Sequence, residues 1–226
     1  MKVMPFAEAV EFFRDKFPMT DAEYKTLVAE VGEYAGSLAF TVSRIASADL
    51  LQDLHGEILK AIEEGGTFFE FREGIDEIMA RRGWEGLAPY RLDNIFRTNI
   101  QTAYNVGRYK QMKAIAERRP YWEYDAVNDA YTRPSHLAQD GKIYRHDHPF
   151  WDTWMPSNGF RCRCVVHSIS AQEMEEEKLK EETQVTKLQP DEGFRHNPAE
   201  QQWRPDPEKY DPALRSQLDM GLKVRK

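Results

Sequence analysis

The sequence predicts an α+β fold, with a mainly helical N-terminal half, then a small α+β domain and an extended C-terminal tail. Apolar residues recur at spacings of three and four as far as Arg119, which is typical of helices. Residues 121–127 alternate as in a half-buried strand, and the chain beyond Gln189 is polar and proline-rich. The length of 226 residues favours two domains. We place a helical region at residues 1–88, an α+β domain at 89–170, and an acidic helix and tail at 171–226.

Helical patterns fill the first half. Two helices should begin at capping boxes, where a threonine and a glutamate three residues later satisfy free backbone donors: Thr20 with Glu23, and Thr67 with Glu70. Proline and glycine provide the stop signals. The predicted helices are Pro5–Phe17, one from Thr20 through Leu38 with Leu27, Val31 and Tyr34 inside, Ala48–Glu64, one from Thr67 to Gly83, and one from Pro89 to Arg119.

The second half changes pattern. Residues 128–159 are expected to be irregular, with the pair Asp140-Gly141 as a turn between strands. Phe160–Ile169 is predicted as a strand that places Cys162 and Cys164 on the same face. Ser170 with Glu173 should cap a helix from Ala171 to Glu182.

The net charge and the mean hydropathy argue against a duplex-binding protein and against a membrane-spanning one. The net charge of −7 and pI near 5.5 argue against duplex binding by the whole chain, because such binding neutralises phosphates. Arg72 to Arg119 nevertheless carries a net charge of +4, which predicts either a solvated helix face or contact with nucleic acid or an acidic partner.

Mean hydropathy is −0.71 and no window approaches a membrane span. The N-terminus lacks a secretory pattern, so we expect a cytoplasmic protein without membrane contact.

A metal site is the sharpest chemical hypothesis. Histidine and cysteine donors are dense between residues 136 and 167, and zinc prefers tetrahedral mixtures of them. His136, Cys162 and Cys164 are the proposed nucleus. Cys-x-Cys differs from the usual zinc-knuckle spacing, and the alternative is that both thiols are small apolar core residues. No other cofactor is expected.

Other chemistries find less support. A disulfide between Cys162 and Cys164 is disfavoured because alternate strand side chains lie roughly 6.5–7 Å apart. His136 is able to activate a thiol, but no glycine turn or helix N-terminus follows the cysteines to form an oxyanion hole. The loop aspartates could in principle bind magnesium, but they do not follow any recognisable spacing for such a site. We therefore assign no catalytic residue. The aspartates considered are Asp125, Asp129, Asp140, Asp147 and Asp152.

Taken together, residues 92–169 resemble the phage Mu F-like head morphogenesis domain. Five elements carry this resemblance: a long helix, an Arg-x-x-His motif, an Asp-Gly pair, a Pro-Phe-Trp-Asp segment and a Gly-Phe-Arg-Cys-Arg-Cys motif. In chain order they are Phe96–Arg108, Arg133-Pro134-Ser135-His136, Asp140-Gly141-Lys142, Pro149-Phe150-Trp151-Asp152 and Gly159-Phe160-Arg161-Cys162-Arg163-Cys164.

The resemblance implies a non-enzymatic minor head protein of a tailed phage or prophage that docks at the portal vertex during assembly. Its expected partners are the portal protein and other capsid components, with weak contact to packaged DNA. Its expected locations are the virion and, during assembly, the host cytoplasm. Phe194 and Trp203 are predicted partner-binding residues, because isolated aromatics often anchor interfaces. Two alternatives stay open: a nucleic-acid-associated adaptor, and a metal- or Cys/His-dependent hydrolase.

Overall fold

A computed structural model describes residues 6–45 and 47–200 and confirms the α+β class. Helices dominate the first half, with one short 3-10 turn at Gly32–Tyr34. Strands β1 (Phe17–Pro18) and β2 (Ala39–Phe40) form a short parallel pair. The helices are α1 (Ala7–Arg14), α2 (Asp21–Val31), α3 (Ala35–Leu38), α4 (Ala48–Glu64), α5 (Phe68–Arg82) and α6 (Pro89–Ala114).

The second half is built on a three-stranded antiparallel sheet of order β4-β3-β5. Its central strand β3 alternates as predicted, with Trp122 and Tyr124 fully buried. Short helices lie in the connections and after the sheet. The elements are β3 (Tyr121–Asp125), α7 (Pro134–Leu137), β4 (Ile143–Arg145), α8 (Trp151–Trp154), β5 (Val165–Ile169) and α9 (Ala171–Glu176).

Two apolar clusters form the core, and helix α6 contributes to both. Its first half, from Leu92 to Ala103, packs into the cluster of the helical region. Tyr109 and Met112 pack into the cluster of the sheet region, beside Trp122. The two cores therefore meet within α6, whereas the predicted domain boundary lies at the start of that helix.

The capping signals predicted several helix ends correctly, but some of the predicted helices were too long. The capping boxes at Thr20 and Thr67 are present, and Gly65 and Gly83 end α4 and α5 in the left-handed region. The helix predicted from Thr20 through Leu38 instead breaks at Gly32, where φ is +64°. Its first part, α2, contains no fully buried residue.

The second half requires three further corrections. The last strand begins at Val165 rather than Phe160, because Arg161 adopts φ +57° and interrupts extended backbone. The acidic helix α9 ends at Glu176, and the chain then bridges to Ile143 beside β4. The pair Asp140-Gly141 joins α7 to β4 and does not connect two strands.

The segment that precedes residue 201 packs onto the rest of the chain. The Arg195 backbone N–H donates to Glu33 at 2.7 Å, and His196 lies 3.1 Å from the Ser37 hydroxyl. Tyr109 hydrogen-bonds to Glu200. Trp203, the second predicted tail anchor, lies outside the described residues. None of the described helices has the length and apolar character to cross a bilayer.

Helices α1 and α6 approach closely at Gly107. A Cβ at this position would lie 2.8 Å from Phe6 Cζ and 3.1 Å from the Ala9 nitrogen. Gly56 on α4 offers a contrast, because a Cβ there would meet nothing within 4 Å.

We expect Gly107→Ala to lower the free energy of unfolding by about 1–3 kcal/mol, because the methyl group overpacks the contact between the two helices. Gly56→Ala, the matched control, should gain up to about 1 kcal/mol from helix propensity. Urea denaturation measures both values. Equal effects of the two substitutions would contradict this account of the α1–α6 contact.

Lys16 is a buried lysine in the short connection between α1 and β1. Its side chain is 7 % exposed, and its ammonium donates to the carbonyls of Gly36 and Ala39. Burial lowers the pKa of Lys16 to about 7, because a desolvated environment disfavours the charged form.

The sign of the resulting pH dependence follows from proton counting. Between about pH 7 and pH 10 the unfolded chain keeps the lysine proton and the folded chain does not, so stability rises with pH by up to about 1.4 kcal/mol per unit. Lys16→Met should remove this contribution, and Lys60→Met, on the exposed side of α4, should retain it. Denaturation at a series of pH values compares the slopes, and an unchanged slope for Lys16→Met would contradict the prediction.

Candidate functional site

The structure brings His136, Cys162 and Cys164 together, as the sequence predicted. His136 Nδ1 lies 3.5 Å from Cys164 Sγ and 3.8 Å from Cys162 Sγ. All three ligand atoms lie within 4.8 Å of one another, and each residue is at most 3 % exposed. We call this group the His/Cys cluster.

Helix α7 positions the histidine. Arg133 precedes Pro134 at the first helical position, where proline loses no hydrogen bond. The His136 ring packs edge-to-face on Trp154, with ring centroids 6.0 Å apart. Its Nδ1 faces the sulfurs, and its Nε2 is buried without a hydrogen-bond partner among the described residues.

A loop between α8 and β5 positions the cysteines. This Cys loop, residues 159–164, is held against α6 by polar contacts along one face of that helix. Arg161 pairs with Asp93 at 2.7 Å, and its backbone N–H donates to Thr98 at 3.0 Å. The Cys164 carbonyl accepts from Asn105 at 3.1 Å and from Gln101 at 3.3 Å.

Gly159 allows two side chains to cross the start of the Cys loop. A Cβ at this position would lie 2.4 Å from an Asp191 carboxylate oxygen and 3.0 Å from Arg133 Cζ. In the resulting space Arg133 pairs with Asp191 at 2.9 Å and donates to the Phe160 carbonyl at 2.9 Å. Gly159 thus leaves room for the ion pair between Arg133 and Asp191, which connects the start of α7 to the C-terminal segment.

The two thiols are electrostatically different. A hydrogen bond from the Cys164 thiol, with further donors from His136 and the Asn158 backbone, lowers the pKa of Cys162 well below its usual value. The same hydrogen bond raises the pKa of Cys164. The Cys162 thiol therefore ionises more readily than the Cys164 thiol.

The cluster opens onto a small cleft with basic walls. This cleft has a volume of about 20 Å³, and Arg133, Arg161 and Arg163 line it together with Tyr131. Arg163 makes a two-point contact with Asp129, at 2.6 Å for each oxygen, which lowers the pKa of Asp129 to about 2. The residues that line the cleft, among those that the structure describes, include no carboxylate.

The remaining candidate donors do not converge. Within the described ranges, the His/Cys cluster is the one group of three that could hold a metal ion. His167 pairs with Asp125 at 2.8 Å, and Asp147 pairs with Arg145 at 3.1 Å. Asp140 has a structural role, because it accepts hydrogen bonds from the Ala126 backbone and the Asn128 side chain, both at 2.7 Å.

A second feature lies on the other side of the Cys loop. Phe160, which is 58 % exposed, packs edge-to-face on Phe194 with ring centroids 5.1 Å apart. Both rings line a cleft of about 460 Å³ between the helical region and the sheet region. We call it the aromatic cleft. Phe194, a predicted partner-binding residue, thus contacts its own chain and also borders an open surface.

Sequence reasoning missed the face of α6 that holds the Cys loop. Asp93, Thr98, Gln101 and Asn105 are polar residues on a helix treated only as apolar. Asn105 is 1 % exposed. Its place within the buried stripe Ala103–Val106 was the sequence signal that could have predicted a polar contact here, because buried amides require hydrogen-bond partners.

The chain is similar to known phage proteins. A family model described as "Phage Mu protein F like protein" matches residues 52–167. The chain is 35 % identical over 190 residues to the "Putative capsid assembly protein F" of Escherichia phage Mu, covering 76 % of this chain and 42 % of that protein. It is 38 % identical over 160 residues to the "Mu-like prophage FluMu F protein" of Haemophilus influenzae, covering 66 % and 39 %.

The chain thus spans about two fifths of the length of these relatives. No solved structure matches it.

We expect Asn105→Leu to lower the free energy of unfolding by about 1–3 kcal/mol, because it removes a buried donor from the Cys164 carbonyl. Gln111→Leu is the control, since Gln111 is exposed and reaches only Glu8 at 3.4 Å. That variant should stay within about 0.5 kcal/mol of the original chain. Chemical denaturation measures both variants, and a neutral Asn105→Leu would show that α6 does not hold the Cys loop.

Proposed function

The chain belongs to the Phage Mu protein F like family, and we propose on this basis that it is a non-enzymatic component of phage head assembly. The observation that carries the proposal is its similarity to a protein named as a putative capsid assembly protein, over 76 % of this chain. Expected partners are other capsid components, in the host cytoplasm during assembly and then in the virion.

The proposal extends to docking at the portal vertex. A portal is a ring of identical subunits, so a small protein is able to bind it in several copies through one repeated heterologous contact. The aromatic cleft supplies a surface for such a contact. It combines exposed aromatic area at Phe160 with polar groups from Arg91 and Asn94, and this mixture is typical of interface anchors. Trp203 remains a predicted anchor from sequence.

Ion pairing disfavours a role as a nucleic-acid adaptor. Most cations between Arg72 and Arg119 contact carboxylates or backbone carbonyls of the chain itself, for example Arg82 with Asp53 at 2.7 Å. Among the described residues, only Arg81, Arg108 and Arg118 of this segment lack such a partner. Few cations therefore remain for phosphates, and a protein partner fits better. The paired cations are Arg72, Arg82, Arg91, Arg97, Lys110, Lys113 and Arg119.

The shape and lining of the His/Cys cluster disfavour the hydrolase alternative. The adjoining cleft of about 20 Å³ has room for little more than one water molecule. The residues described around it include three arginines and no carboxylate, so a metal-dependent hydrolase would lack a carboxylate general base, and in a Cys/His-dependent one that role would fall to His136. These features support a structural role for the cluster.

Gradient sedimentation of a lysate from the source of the chain tests the assembly role. Immunoblotting of the fractions should find the chain with capsid-sized particles. Particles disrupted before sedimentation are the control and should shift the signal to slow fractions. A chain that sediments only as free protein of about its own mass, 26.4 kDa, would contradict the proposal.

We expect Phe194→Ala to reduce incorporation into particles several-fold, because truncation of an interface anchor typically costs 1–2 kcal/mol or more. Phe69→Ala is the matched control: Phe69 is 66 % exposed on α5 and does not line the aromatic cleft. Circular dichroism establishes that both variants are folded. Equal incorporation of both at the original level would remove the aromatic cleft from the interface.

A further inference from the structure

The distances within the His/Cys cluster match a tetrahedral metal site. Zinc binds sulfur at about 2.3 Å and nitrogen at about 2.0–2.1 Å, so a tetrahedral angle separates the nitrogen and sulfur ligands by about 3.6 Å. The observed separations between His136 Nδ1 and the two sulfurs, 3.5 and 3.8 Å, lie on either side of this value. The two sulfurs lie within 4.8 Å of each other, and a tetrahedral site needs about 3.8 Å between them, so all three atoms are near enough for one cation.

Hydrogen bonding alone leaves the cluster incompletely satisfied. His136 Nδ1 carries either one hydrogen or one lone pair, so it can hydrogen-bond to one of the two sulfurs that lie 3.5 and 3.8 Å from it. A single cation would satisfy the nitrogen and both sulfurs at once.

The three ligands also come from separate parts of the chain. His136 lies on α7, and the cysteines lie 26 and 28 residues further on in the Cys loop. Both segments are held independently, the histidine by Trp154 and the loop by the α6 contacts at Asp93 and Asn105. The donor geometry is thus set before any metal arrives, as expected for a binding site built on a rigid frame.

We propose that His136 Nδ1, Cys162 Sγ and Cys164 Sγ bind one Zn²⁺, with the fourth position open to the small cleft. Binding releases the remaining thiol protons to solvent, and two thiolates then cancel the charge of the cation, which suits a buried site. The cleft of about 20 Å³ admits one water as fourth ligand.

The zinc would join α7 to the Cys loop. Among the residues described around the cleft, three are arginines and none is a carboxylate, so no carboxylate is placed to act as general base toward a bound water. The site is separate from the proposed assembly role, so either is able to fail without the other.

Metal analysis of the untagged full chain tests the proposal. Mass spectrometry of the purified, dialysed protein should find one zinc per chain. The double variant Cys162→Ser, Cys164→Ser should bind none, and His136→Asn should lose at least ten-fold in affinity. His167→Asn is the matched control, because His167 is exposed and pairs with Asp125, and it should retain one zinc.

Cobalt substitution makes the test independent of how the variants fold. The chain contains two cysteines, so a thiolate-to-cobalt charge-transfer band is able to arise only at this cluster. Chelator-treated, reduced original chain should develop this band with an endpoint at one Co²⁺ per chain, and added Zn²⁺ should abolish it. A folded chain with two reactive thiols, no stoichiometric zinc and no charge-transfer band would overturn the proposal.

Discussion

Helix α6 is the constraint on which the rest of the structure depends. It contributes apolar side chains to both cores, from Leu92 in one to Met112 in the other, and must approach α1 closely enough that only glycine fits at position 107. Polar groups of α6 also hold the Cys loop. Because α6 contacts both cores, α1 and the Cys loop, its position fixes the arrangement of the two regions.

The Cys loop, which α6 holds in place, extends to both candidate surfaces. At one end Phe160 reaches the aromatic cleft and contacts Phe194. At the other end Cys162 and Cys164 reach His136. Between them Arg161 adopts the left-handed conformation and pairs with Asp93. A zinc at one end would stiffen the loop that presents the aromatic surface at the other, so a metal and an assembly function are compatible in one chain.

The sequence predicted those features that depend on local chemistry. The bounds of α4 and the start of α5 follow from Ser47, Gly65 and Thr67, whose side chains or φ angles satisfy free backbone groups. The meeting of His136 with the cysteines was predicted from donor type alone. Features set by tertiary contacts were not predictable in this way. The strand start at Val165 depends on the turn at Arg161, and the return of the C-terminal segment involves distant contacts such as the Arg133–Asp191 pair and the Arg195–Glu33 hydrogen bond.

Localised reconstruction of the portal vertex by electron cryomicroscopy, on heads purified from the phage or prophage that encodes the chain, tests the central claim most directly. The account predicts density for this fold at the portal vertex, in several copies, with the aromatic cleft and Phe160 against a neighbouring subunit. Heads that contain the chain only away from that vertex, or with the aromatic cleft facing solvent, would contradict it.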